Sequence, residues 1–141
     1  MRSTLVATFV ATLSATALLA GCEGSPPPRA DVAAEPGTAP PLFETFGTLH
    51  REILTDVPAT QRYFDQGLRL AYGFNHEAAG RAFEEAARLD PKCAICYWGQ
   101  ALVLGPNVNL PMSPDLAPQA TKLARKAQAL SWHAKPADRA L

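Results

Sequence analysis

The chain has 141 residues, with 13 Lys/Arg against 13 Asp/Glu and a formal net charge of zero. That balance supplies no positive field for nucleic acid. Alanine is frequent and long Val/Ile/Thr runs are missing, which favours helices over strands.

Arg2 gives a short positive start, and Leu5 to Ala20 then carries no charge. At 16 residues, diluted with Thr and Ser, this run is shorter than the ~20 needed to span a bilayer. A positive start, a short apolar core and small residues at its end read as a secretory signal peptide, residues 1–21. Leu19-Ala20-Gly21-Cys22 resembles the lipobox of bacterial lipoproteins. The resemblance implies cleavage before Cys22 and lipid on its thiol, where acyl chains add ~0.8 kcal/mol per buried CH2. The implied location is the bacterial cell envelope, anchored to a membrane and facing the periplasm. Glu23 is not the aspartate that marks inner-membrane retention in such proteins, which leans towards the outer membrane. From Glu23 to Pro41, 6 of 19 residues are proline. Such a stretch tends to extended polyproline II and cannot build a core. Residues 22–41 therefore read as the lipidated cysteine and a disordered tether.

About 100 residues remain from Leu42 on, enough for one small domain. They hold 11 Lys/Arg and 10 Asp/Glu. Residues 42–57 are an N-terminal arm, and within it Phe43 to Leu54 fits a strand-like arm and a helix alike. Residues 58–141 read as an all-α domain. Pro58 suits a first helical turn, with Asp56 near enough to relieve free amides. Tyr63, Phe64, Leu68 and Ala71 recur at helical spacing, and Gly73 ends the helix. Asn75 is the N-cap of a second helix, Glu77 suits its positive end, and Ala79, Ala82, Phe83 and Ala86 form its stripe. Gly67 and Ala79 let the two helices approach, with Phe83 filling the space beside them. Asp90-Pro91 reads as the cap and first turn of a third helix running to Leu104. Gly105-Pro106 opens a loop. Ser113-Pro114 is expected to cap and start a fourth helix, with Leu116, Ala120, Leu123, Ala127 and Leu130 as its stripe. Pro136 opens a fifth. The basic residues Lys122, Arg125, Lys126, Lys135 and Arg139, against Asp138, read as solvated surface.

The hairpin resembles the tetratricopeptide repeat, a helix-turn-helix of about 34 residues with the pattern W-x2-L-G-x2-Y…A-x3-F…P. Gly67, Ala79, Phe83 and Pro91 match in residue and spacing. Tyr63, Gln66 and Leu70 stand where the pattern has tryptophan, leucine and tyrosine. Shifted by about 34 residues, Tyr63 falls on Tyr97, Gly67 on Ala101 and Leu70 on Leu104, so Pro91 to Leu104 looks like the first helix of a second repeat. The stretch from Thr48 to Asn109 is similar to much longer bacterial tetratricopeptide proteins of unassigned biochemistry. The resemblance implies antiparallel hairpins stacked as a short solenoid, about two repeats and the start of a third, from a truncated member. It implies a concave surface built mainly from first helices, with Gln61, Phe64, Leu68, Tyr72, Ile95, Trp98 and Leu102 as partner-binding candidates. Trp98 and Tyr97 read by default as core.

Cys93 and Cys96 form a C-x-x-C pair. Haem attachment wants a histidine where Tyr97 stands, and zinc wants ligands that the scattered His50, His76 and His133 do not supply. A thiol-disulfide catalyst fits Cys93 at a helix start but lacks the accompanying strand-helix alternation. A structural disulfide and a pair of buried thiols both remain open. No phosphate loop and no Ser/His/Asp frame is present, and neither a cofactor nor a small-molecule substrate is indicated. The sequence therefore predicts a non-catalytic, lipid-anchored scaffold for a protein or peptide partner. A thiol-redox or metal-handling accessory using Cys93/Cys96 is the alternative, and a gene fragment without stable function of its own is the third reading.

Overall fold

The computed structural model describes residues 38–45 and 47–140. The signal peptide, Cys22 and nearly all of the tether lie outside the described residues. Among those residues the regular structure is helical, with one isolated bridge between Asn107 and Leu110. The α-helices are α1 (Pro58–Tyr72), α2 (His76–Leu89), α3 (Ala94–Leu104) and α4 (Ala117–Ala129). Single 3-10 turns sit at Pro114–Leu116, Ser131–His133 and Pro136–Asp138. Consecutive helices pack on one another, and α1 also touches α3. No described helix is long and apolar enough to cross a membrane.

Pro58 fixes the start of α1 because its missing N–H is one of the unsatisfied donors of a first turn. The N-cap is Val57, which makes no side-chain capping bond, so the help expected from Asp56 is not given. At the other end, Asn75 N–H donates to Leu70 O at 2.9 Å and Phe74 N–H to Ala71 O at 3.1 Å. These two bonds are the paired closure of a Schellman motif. Its left-handed position is held by Phe74 at φ 60°, not by Gly73, whose φ is −81°. Asn75 caps α2 as expected, accepting the Ala78 N–H at 3.3 Å.

Two helix starts differ from expectation. α3 begins at Ala94 and not at Pro91, because Asp90 Oδ1 accepts the Lys92 N–H at 3.0 Å and turns the chain there. An aspartate that bonds the backbone two residues on competes with helix formation. Ser113 makes no side-chain cap, and Pro114 opens a 3-10 turn that leads into α4. α4 has no fully buried residue. Its Leu123 and Ala127, with Leu130 just past its end, lean on the core from one side. Pro136 opens a 3-10 turn.

The core centres on Phe83 of α2, which is fully buried and tilted against Phe64 with ring centroids 5.6 Å apart. A Cβ at Gly67 of α1 or at Gly99 of α3 would stand 2.7 Å from that ring. The two glycines therefore set how closely α1 and α3 approach α2. Forcing a methyl into such a contact costs roughly 1–3 kcal/mol, more than the ~1 kcal/mol of helix propensity that alanine returns. Gly99→Ala should lower the urea midpoint. In a Phe83→Leu background, where the ring is gone, the same change should be neutral or stabilising. A four-chain mutant cycle by urea unfolding measures that sign change.

Candidate partner-binding surface

The structure divides the seven candidates. Phe64, Leu68 and Ile95 are buried in the core, packed with Phe83 and its neighbours, and so offer no surface to a partner. Trp98 is half-buried against that core. Tyr72 is 70% exposed and Leu102 45% exposed. Gln61 is half-buried and engaged by the arm. A groove of about 600 Å³ lies between Phe74 and His76, on the α1–α2 turn, and Val103, Leu110, Met112 and Leu116. Phe74 and His76 stack there at 6.3 Å, nearly parallel.

The arm is neither a helix nor a sheet strand. It is irregular chain with a turn at Glu44–Thr45, laid against α1 and held at its backbone by α1 side chains. Gln66 Oε1 accepts the Phe43 N–H at 2.7 Å, and Gln66 Nε2 donates to Pro41 O at 2.9 Å. Gln61 Oε1 accepts the Ile53 N–H at 2.9 Å, and Gln61 Nε2 donates to Arg51 O at 2.9 Å. Each glutamine thus takes the C=O of one residue and the N–H of the residue two further on. Those are the two groups that one edge of an extended chain presents to a neighbouring strand. The Tyr63 hydroxyl donates to Pro40 O, Arg69 Nε to Leu49 O, and Asp65 Oδ1 accepts the Arg51 N–H at 3.1 Å. An open cleft of about 360 Å³ lies between Phe43, Gly47 and Thr48 of the arm and Arg62 and Arg69 of α1.

Asp65 and Gln66 are buried polar residues. Groups of that kind stay in a fold when each finds a partner; most of the partners here are in the arm, and Gln61 Nε2 on α1 also donates to Asp65 Oδ1 at 3.0 Å. Asp65 Oδ2 also pairs with His50 Nδ1 at 2.7 Å. At its far end the arm reaches the segment after α4. The Arg51 guanidinium bonds the buried Asp138 carboxylate, and Lys135 Nζ lies 2.8 Å from Glu52 Oε2. That hydrogen bond, and then the lysine charge, hold the Glu52 carboxyl below its ordinary value of 4.5. The pairing is therefore complete above the ordinary carboxylate range and is lost as pH falls through the lowered value. On α2, Arg88 bonds Glu85 through two nitrogens at 2.7 Å, lowering the Glu85 pKa and raising that of Arg88. Thr55 donates to Asp90 Oδ2 at 2.7 Å, tying the arm to the entry of α3.

Cys93 and Cys96 form a disulfide with Cα atoms 5.4 Å apart. Cys93 is the N-cap of α3 and Cys96 lies in its first turn; the two residues are 1% and 0% exposed. Among the described residues no three His, Cys, Asp or Glu side chains converge in a way that could hold a metal ion. The residues missed from sequence are Asp65, Gln66, Arg69, Lys135 and Asp138. The available signal was Gln66, a polar residue where the repeat pattern has leucine. No protein-family model matches the chain, and neither a curated protein nor a solved structure matches it.

Gln66→Leu removes both bonds to the arm. Phe43 and Pro41 are exposed residues, so their N–H and C=O turn to water, and the loss is that of ordinary hydrogen bonds, about 0.5–1.5 kcal/mol each. The variant should lose stability on thermal unfolding, and the amide of Phe43 should exchange faster while those of α2 do not change at low denaturant.

Proposed function

We propose that the chain is a non-catalytic scaffold of the tetratricopeptide kind, lipid-anchored through Cys22 at the periplasmic side of a bacterial membrane. An extended segment of a protein partner lies across the first helices of its hairpins. One observation carries this reading: α1 holds an extended polypeptide by its backbone, through two glutamine amides that each grip a C=O and an N–H. A helix face equipped in that way suits any extended chain, because the groups it grips belong to every sequence. Tyr72 and Leu102 add exposed aromatic and apolar anchors, the residue types that carry binding energy once covered. The close approach of α1 and α3 to Phe83, through Gly67 and Gly99, supports successive hairpins as the architecture.

The alternative of a thiol-redox accessory gains nothing from the geometry. A catalytic thiol is reached by its substrate, whereas both cysteines lie beneath the surface and paired. Burial suits a bond that fixes the entry to α3.

Selection of displayed peptides on the full chain tests the scaffold. Enriched peptides should bind with micromolar affinity and lose about tenfold on Leu102→Arg, at an exposed position where the helical circular dichroism should not change. Failure to enrich any peptide, or binding indifferent to both Leu102→Arg and Tyr72→Ala, removes the reading. The anchor is tested by metabolic labelling with a clickable palmitate in a bacterial host. The full chain should carry label and partition with membranes, and Cys22→Ser should lose both.

A further inference from the structure

The second half of the arm, Leu49 to Ile53, is held in more ways than a linker needs. Its backbone is gripped at three successive places, by Arg69 on Leu49 O, by Asp65 on the Arg51 N–H, and by Gln61 on Arg51 O and the Ile53 N–H. Its side chains are sorted as well. Arg51 meets the buried carboxylate of Asp138, Glu52 meets Lys135, and Ile53 is 4% exposed within the core cluster. Backbone capture with a separate receptor for each successive side chain is the logic of peptide recognition in extended form. The receiving groups come from α1 and from the segment after α4, which the arm bridges.

We propose that Gln61, Asp65 and Arg69 of α1, together with Lys135 and Asp138, form a peptide site for an extended basic–acidic–aliphatic segment. Arg51-Glu52-Ile53 fills it in cis and a partner segment of the same pattern fills it in trans. This rests on the scaffold reading above and names the partner's chemistry at one part of that surface. The arm is then an internal competitor. Partner binding and arm release are one equilibrium, and the partner gains the site only as the arm leaves it.

The test uses the full chain and a labelled peptide of residues 47–55, followed by fluorescence anisotropy. The unaltered chain should bind it weakly, because its own arm is in place. Arg51→Ala with Ile53→Ser should bind it at least tenfold more tightly, and adding Asp138→Asn should remove that gain. A scrambled peptide should bind none of them. Equal binding by the unaltered and arm-weakened chains, both folded by circular dichroism, overturns the proposal. If the double variant does not fold, native-state hydrogen exchange on the unaltered chain decides. Ile53 and Arg51 amides that open locally, insensitive to low denaturant, support a displaceable arm. Exchange of those amides only through the same global unfolding that releases the amides of Phe64 and Phe83 overturns it. Selected library peptides that still depend on Leu102, alongside no binding of residues 47–55 to the arm-weakened chain, sink this inference alone and leave the scaffold standing.

Discussion

The ring of Phe83 decides how this domain is put together. It is a single large side chain on α2 that reaches the backbones of the helices on both sides, α1 at Gly67 and α3 at Gly99. Neither neighbour can carry even a methyl there without displacing the ring. Three helices are thus brought to one contact distance by one phenyl group. The residues around it, Phe64, Ala79, Ala86, Ile95 and Cys96, fill the space that this distance leaves. Close-packed interiors respond to changes of a single methylene, so the spacing of α1 and α3 is fixed to within that scale. The adjoining faces of those two helices inherit the same precision, and the proposed partner surface spans them.

A second constraint follows from the arm. An extended chain laid on a helix exposes amide groups that α1's own backbone cannot satisfy, since its bonds are already made along the helix. The partners must be side chains. Gln61 and Gln66 are five residues apart on α1, and each offers both a donor and an acceptor in one plane. That choice of residue explains why α1 tolerates buried polar groups at Asp65 and Gln66, where a helix packed only against other helices would carry apolar ones. The same bonds set where the arm can lie, and so place Arg51 at Asp138 and Thr55 at Asp90.

Much of the helical hairpin was legible because its signals are local. Gly67, Ala79 and Phe83 announce a close crossing by residue type and spacing, and Asn75 announces a cap. Gly99 was not legible: shifting the repeat by its usual length placed Ala101 opposite Gly67, and only packing shows that Gly99 meets the ring. Asp90-Pro91 and Ser113-Pro114 read alike as caps or turns, because in each the side chain and the proline serve both. The apolar stripe of α1 could not separate core from surface. Phe64 and Leu68 have the same spacing whether a helix faces its neighbour or a ligand, and the neighbour claims them here. The arm was least legible. Its partners lie up to 87 residues away, and its order comes from side chains on α1, not from any period in its own sequence.

Holding a segment in cis has a quantitative consequence for whatever binds in trans. Only four residues, Leu54 to Val57, separate Ile53 from the start of α1. A tether that short keeps the arm at an effective concentration on the order of millimolar. A free segment with the same contacts and an intrinsic Kd of about 1 μM would then show an affinity weaker by about a thousandfold. A segment that merely copies the arm is therefore a poor ligand for the intact chain. To prevail it must bring contacts that the arm lacks. Tyr72 lies on α1, the helix that grips the arm, and Leu102 on α3; both are exposed, and covering such groups is where added affinity resides. Under the proposed reading, selectivity comes from the sum: the backbone grip would admit any extended chain, the arm would reject those that offer nothing more, and the anchors would admit the rest.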